Sequence, residues 1–298
     1  MNIESSKLIK FAKVAHKQAK KVISEYSSKY SRKDYTQQQL LALLCVKEKT
    51  KQKWEEFEDL IFNMPLLRQA IGLDKTPHFT TLNKFFLRLQ KKILIILITL
   101  TAGRSSGLLS IDGTCVDRRH TSKHYVKRCK LTLNPMKLTP LIDTKEQKIH
   151  GLHCTTTRKH DTQILLPLLK KTRQKIKQIC GDKGYDDKKI RNYLRKQGIR
   201  PLIPYREFKK KHKYWNSLMN KKDYNQRSKS ETVNSSIKRK YRDYLSSHNW
   251  WNQHKEAALL CVVYNVDRDV KKLLGFIGGF LKSRLLILFV QSHCRQNA

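Results

Sequence analysis

Residues 224–238, YNQRSKSETVNSSIK, set one acid among several cations. Tyr224, Arg227, Glu231 and Lys238 stand at offsets 0, 3, 7 and 14. A helix turns by about 100° per residue, so these four side chains share a stripe roughly 60° wide. Val233, Ile237 and Tyr244 fall on the opposite side, where they would meet a core. From 228 to 242 Glu231 is the only acid. A solvated charged face is the ordinary explanation of such a run, but it favours mixed signs at i,i+4, so the lone carboxylate leaves a chemical role equally open.

Two further acids follow apolar runs. Asp112 lies in SIDGT and Asp182 in ICGDKGYD. Each reads as the end of a strand, where an open α/β sheet exposes functional side chains. Either aspartate alone would serve as a turn cap. Together with Glu231 they form a set of three, separated by 70 and 49 residues. Hard divalent cations take clustered oxygen ligands. Two such ions can activate a nucleophile and stabilise a leaving oxygen in phosphoryl transfer. Arg227 and Lys238 would then hold phosphates beside the metals.

The composition names the polymer such a site would act on. The 298 residues carry 63 Lys and Arg against 24 Asp and Glu, a formal charge of +39. A small-metabolite enzyme has no use for that charge, which repels itself and opposes compaction. A polyanion explains it, and nucleic acid fits better than a membrane because no amphipathic anchor is evident. Residues 1–105 hold 20 basic and 9 acidic side chains, and 106–298 hold 43 and 15. The C-terminal part is therefore expected to touch nucleic acid itself, not to be a neutral domain served by a basic tail. The seven cysteines include no Cys-x-x-Cys, which implies reduced thiols and a cytoplasmic setting. Cys115, His120, His124 and Cys129 have only a loose zinc-like spacing and lack the paired cysteines of a zinc site. The N-terminus has no signal-peptide core. The apolar run 93–102 is too short to span a bilayer, and Lys282 and Arg284 interrupt the one at 273–290.

The elements that must position these residues read as follows. Residues 1–60 have helical spacing. A short helix at 64–71, the loop GLDKTPH and a long helix over TLNKFFLRLQKKILIILITL suggest a helix-turn-helix-like unit. The joint AGRSSG at 102–107 opens a second region. There GLLSIDGTCV, KLTPLID and QKIHGLHCTTT read as strands, and DTQILLPLLKKTRQKI as a helix. KQICGDKGYD is a strand ending in a turn, DDKKIRNYLRKQG a helix and IRPLIP a strand. A basic stretch at 206–223, the helix with Glu231 and another around 252–268 complete the chain. This order predicts a mixed α/β domain with a central sheet. Tyr214 and Trp215, in the basic stretch, are the better placed of the two aromatic pairs for stacking on bases.

At this point the sequence resembles the DDE transposases of bacterial and archaeal insertion sequences. The similarity is to the branch with a Tyr-x2-Arg-x3-Glu-x6-Lys signature, complete here as Tyr224, Arg227, Glu231 and Lys238. Asp112-Gly113-Thr114 and Asp182-Lys183-Gly184-Tyr185 match its two aspartate motifs. His160-Asp161, Ile203-Pro204 and Gln253…Glu256…Tyr264-Asn265 are also similar, so the resemblance covers roughly 107–268. It implies an RNase H-like mixed sheet flanked by helices over 106–272. An all-α DNA-binding region at 1–105 would precede it, and a tail at 273–298 would follow. It implies Asp112, Asp182 and Glu231 as catalytic ligands of two Mg2+ ions, with Mn2+ as a substitute. Tyr224, Arg227 and Lys238 would bind DNA phosphates. The implied activity is nicking at transposon ends and attack of the freed 3′-hydroxyl on target DNA. The expected partners are double-stranded DNA and a second copy of the chain, on the nucleoid and away from membranes. The rival readings are a catalytically inactive or repurposed DNA-binding protein, and a recombinase with a covalent Tyr or Ser nucleophile. The second lacks a recognisable Arg/His constellation.

Overall fold

The computed structural model describes residues 6–118, 123–128, 134–157, 159–172 and 174–296, from 275 onward as backbone. His120 and Cys129 of the zinc-like spacing lie outside the described residues.

Six helices come first: α1 (Lys7–Ala19), α2 (Gln37–Thr50), α3 (Trp54–Phe62), α4 (Pro65–Ala70), α5 (Phe79–Arg88) and α6 (Lys91–Ala102). Leu40 through Glu48 of α2 are all buried, as expected of a helix surrounded by others. The single long helix expected over 81–100 is two helices. Leu89 leaves the helical conformation at ψ 126°, and Gln90 is extended at ψ 133°. Leu89 is buried at this corner, so the chain re-aims α6 instead of running on.

The second region contains β1 (Leu108–Ile111), β2 (Thr114–Arg118), α7 (Lys123–Arg128), β3 (Met136–Asp143), β4 (Ile149–Thr155), α8 (Asp161–Lys171) and β5 (Gln178–Cys180). It continues with α9 (Lys188–Lys196), β6 (Arg200–Leu202), α10 (Lys210–Ser217), α11 (Lys221–Asn225), α12 (Ser228–Lys240), β7 (Tyr244–Leu245) and α13 (Trp250–Gln296). Gly198, at φ +66°, ends α9 in the left-handed conformation that Cβ disfavours. The basic stretch 206–223, for which no helix was expected, contains α10 and the start of α11, and the α13 backbone runs on through the expected tail.

The seven strands form one mixed sheet, ordered β6-β5-β1-β3-β2-β7, with β4 on the other edge of β3. β1, β5 and β6 are parallel; β1, β2 and β4 run antiparallel to β3. This mixed sheet with flanking helices is consistent with the RNase H-like arrangement.

Each face of the sheet buries its own apolar cluster. Leu109, Ile111, Leu141 and Ile179 pack with Leu165, Leu168, Ile190 and Leu194 of α8 and α9. On the other face Val116, Met136, Leu138 and Ile142 join Val233 and Ile237 of α12 and the apolar side of α13. That second cluster is continuous with Phe11, Leu41, Phe57 and Leu94 of the N-terminal helices. A buried ionic network crosses the same boundary. Arg242, just after α12, lies 3.0 Å from Glu48 of α2 and 3.6 Å from Glu256 of α13. The Arg242–Glu48 contact is close without being aligned as a hydrogen bond.

Candidate active site

β1 and β2 lie along one edge of β3 in an unbroken register. Ile111 pairs with Leu141 and Thr114 with Leu138, which sets Asp112 opposite Pro140 and Gly113 opposite Thr139. The ladder is interrupted there, where Pro140 has no N–H to donate. Side chains alternate along β1, so Leu109 and Ile111 enter the α8 and α9 cluster while Ser110 faces α12. Ser110 is fully buried, and its hydroxyl donates to Ser230 at 3.2 Å. Ser230 in turn donates to the Arg227 carbonyl at 2.6 Å. Two small side chains let the first turn of α12 approach the strand, and the alternation turns Asp112 to the same side.

Asp182 follows β5 and caps the 3-10 turn Lys183–Tyr185, accepting from the Lys183 amide at 2.6 Å. Its backbone neighbour Gly181 is closely covered by Ile111, Tyr185 and Ile203. The Cys180 thiol reaches the Asp223 carbonyl at 3.4 Å, fastening α11 to β5. Tyr224 is therefore set beside the end of the same strand.

The single helix expected for the signature is two helices with a tight junction. Arg227, Lys229 and Ser230 donate to the carbonyls three residues back, at 2.9, 3.0 and 2.9 Å. That 3-10 tightening displaces Tyr224 from an ideal α-helical stripe. Tyr244, expected opposite the stripe, belongs to β7, and Tyr241 is the aromatic that closes the buried face of α12.

Arg227 joins the acids. Its guanidinium lies 2.9 Å from Glu231. Partial burial opposes its charge, yet Glu231, Tyr224, Asp112 and Asp182 together raise its pKa. Burial pushes the Asp112 carboxyl above its ordinary range; Arg227 and the Gly113 amide pull it back, and Glu231 and Asp182 add to the rise. Glu231, Tyr224, Asp112 and Asp182 thus all act on Arg227. Lys238 stands further off, about 10 Å along α12 from Glu231 at 1.5 Å per residue.

Among the described residues no three His, Cys, Asp or Glu side chains converge as a metal-holding group. Glu231 is turned toward Arg227, while Asp112 and Asp182 hold the strand ends. The donor chemistry nevertheless suits a hard divalent cation: three carboxylates, with Asp112 destabilised as an anion first by burial and then by Glu231 and Asp182. The Glu231 side chain is 56% exposed, so it has room to turn from Arg227.

Sequence reasoning assigned no role to Lys137 or Tyr185, and noted Asp161 only near the start of a helix and in the resemblance. Lys137 pairs with Asp161 at 2.5 Å and lies against Gly113. Tyr185 is buried, and its hydroxyl has no hydrogen-bond partner. Burial and then Asp161, Asp112 and Asp182 hold its phenol well above the usual range. Period-2 alternation would have put Lys137 and Thr139 on one face of β3, but their proximity to the Asp112 turn required the register.

Other residues of the resemblance build the frame. Gln253 accepts from Arg118 at 2.8 Å. Glu256 accepts from the Ser246 and Ser247 amides at 3.0 Å each. Asn265 ties β4 to α13 by accepting from the Ile149 amide at 2.8 Å. His150 is buried in β4, with neither ring nitrogen partnered. Trp215 packs 5.0 Å from Tyr205, and both Tyr214 and Trp215 remain exposed.

Asp112 and Asp182 thus follow the ends of the adjacent parallel strands β1 and β5, and α12 with its first-turn junction brings Glu231 and Arg227 to the same face. The family model for the transposase DDE domain matches residues 103–266, and the chain belongs to that family. A search of curated proteins finds no match. Among the described residues no helix is long and apolar enough to cross a membrane.

Proposed function

We propose that this protein is the transposase of an insertion sequence, of the branch marked by Tyr224, Arg227, Glu231 and Lys238. It cuts DNA strands at the element's ends and joins the freed 3′-hydroxyl to target DNA. What supports this most directly is Arg227, which lies 2.9 Å from Glu231 and feels the charges of Asp112 and Asp182. A purely structural ion pair needs one carboxylate; a site that must hold cations and then a phosphate needs several carboxylates and a fixed guanidinium.

In this reading Asp112, Asp182 and Glu231 hold two Mg2+ ions, replaceable by Mn2+. Bound there, the ions supply an activated oxygen nucleophile and stabilise the leaving oxygen. The chain's own residues do the placing. Asp112 and Asp182 are fixed by strand ends, so they set the position of the reacting phosphate. Glu231, exposed, turns inward and frees Arg227 for a bidentate contact with a phosphate. Tyr224 and Lys238 contact the strand on either side of Arg227. The N-terminal helices recognise the ends, and a dimer pairs two ends on the nucleoid of the cytoplasm.

The test uses duplexes carrying the inverted repeats that flank the coding sequence. Metal-dependent products with 3′-hydroxyl ends, absent in EDTA, are expected. Binding without cleavage would assign the chain as an inactive or repurposed DNA-binding protein. A covalent adduct without metal would assign it as a different recombinase.

A further inference from the structure

Lys137 occupies a place that a surface lysine does not need. It sits at the start of β3, on the face turned to α8, and crosses directly beneath Asp112-Gly113. A Cβ built on Gly113 would come within 2.8 Å of Lys137 Cε and 3.7 Å of Nζ. The absence of a side chain at 113 is what leaves the lysine its path. At its end Nζ meets Asp161 Oδ1 at 2.5 Å. Asp161 opens α8 and is itself confined: its Oδ2 lies 3.2 Å from where a Cβ on Gly184 would be. The pair is thus wedged between the glycines of both aspartate motifs. Asp161 also acts on the buried Tyr185 phenol together with Asp112 and Asp182, which places it with the site's acids.

The two side chains are 27% and 29% exposed, so the pair is half-buried yet still open to a ligand from solvent. The chain's buried pairs, such as Arg242 with Glu48 and Glu256, join separate elements of the core. Lys137 and Asp161 instead flank the turn that carries Asp112. Arg227 reaches the same turn from the α12 face of the sheet. The two cations therefore bracket Asp112 from opposite faces, each held by one acid: Arg227 by Glu231, Lys137 by Asp161.

We propose that Lys137 is a second DNA-phosphate contact of this site, aimed by Asp161 through the gap at Gly113, and that it holds a backbone phosphate on the side of the scissile bond opposite Arg227. The proposal rests on the transposase reading for its polymer, a DNA strand laid across Asp112 and Asp182. Lys137 touches the substrate; Asp161 is a positioning residue that acts through it. A lysine suits this role because a point charge on a flexible stem follows a phosphate without demanding a bidentate geometry.

The experiment is a methylphosphonate scan. Terminal-repeat duplexes each carry one neutral phosphate, and binding is measured in EDTA, so that cleavage plays no part. Wild-type protein should lose on the order of tenfold in affinity at one position near the cut, the size of one charge-assisted contact. Lys137→Gln should show that loss on unmodified DNA and no further loss at that one position, while keeping the wild-type profile elsewhere. Asp161→Asn should blunt the same position, and the Lys137→Gln/Asp161→Asn double variant should be no worse than Lys137→Gln alone. Gly113→Ala keeps the lysine but blocks its path, at little folding cost since only a flexible side-chain end must move. It should erase the interference at the same phosphate. A Lys137→Gln profile identical to wild type at every position overturns the contact. A Gly113→Ala profile identical to wild type overturns the aiming. Neither outcome depends on cleavage, whose own failure in Mg2+ would count against the transposase reading instead.

Discussion

The hydroxyls of Ser110 on β1 and Ser230 on α12 meet at 3.2 Å, and both residues are fully buried. One residue beyond Ser230 is Glu231, and two beyond Ser110 is Asp112. The spacing between sheet and helix at this point therefore sets the separation of two of the three acids. Replacing Ser230 by Val should push α12 outward, because overpacking a dense contact costs about 1–3 kcal/mol. It also leaves the Ser110 hydroxyl without its acceptor on Ser230. The expected result is a lower melting temperature and a cleavage defect larger than the binding defect. Ser230→Ala, which needs no extra room, should keep most of the activity. Equal cleavage by the Val and Ala variants would mean that helix spacing does not govern the site.

Asp112 gives a pH signature. Its folded pKa is raised, first by burial and then by Glu231 and Asp182. A carboxyl with a raised folded pKa binds its proton more tightly in the folded state, so stability falls as pH rises through that range. At neutral pH, without divalent cations, Asp112→Asn should therefore raise the melting temperature while abolishing cleavage. Mg2+ should stabilise the wild type through linkage and have little effect on the variant. Melting curves from pH 4 to 8, with and without Mg2+, check both signs. An Asn variant less stable than wild type at neutral pH would mean that the acids do not repel one another there.

The apolar core that starts at Ile9 and Phe11 runs on through Val116, Met136 and Val263. Fragment 1–105 would expose the part of its core that α13 and the sheet cover. The expected outcome is one cooperative transition for the full chain and none for the fragment. Glu48→Ala should lower the full chain's stability by about 3–5 kcal/mol, because it removes one of the carboxylates facing buried Arg242. Circular dichroism melts of both proteins are sufficient. A fragment that melts cooperatively on its own would establish residue 105 as a domain boundary.

The strand before Asp112 and the β5 turn at Asp182 were legible because apolar runs ended at glycine-flanked acids, whereas GLLSIDGTCV read as one strand and not as β1 and β2. The helix with Glu231 was legible from its period. The break at Leu89–Gln90 was not, since KKILIILITL continues a helical pattern and only the packing of α6 decides against a straight helix. The tight junction at Arg227 escaped for a related reason: three-residue and four-residue turns differ little in spacing over so short a stretch. Lys137 was hidden because its relevance depends on β3 register and on a missing Cβ at residue 113, both properties of paired strands. The basic surplus told of a polyanion without saying which cations face it.

The signature itself can be tested through its geometry. Arg227 pairs with Glu231, whereas Lys238 is about two turns beyond Glu231 along α12, so the two cations should differ in kind. Arg227→Ala should reduce single-turnover cleavage at saturating DNA by on the order of 100-fold, the usual loss when a preorganised charge donor is removed. Its effect on overall affinity should be small, because the chain keeps dozens of other cations. Arg227→Lys should recover only part of the rate, since a point charge does not replace a bidentate fork. Lys238→Ala should slow cleavage less and act more on the placement of the flanking strand. Lys229, on the opposite side of α12 from Glu231, and the exposed Lys222 of α11 serve as controls. Substituting either should lower affinity and the salt slope by about one phosphate contact, with the rate at saturation unchanged. The measurement is single-turnover cleavage and salt-dependent binding for all five variants on one end-containing duplex. Small and equal effects on cleavage at every position would mean that the spacing of Tyr224, Arg227, Glu231 and Lys238 describes a solvated helix face and that the phosphate clamp lies elsewhere.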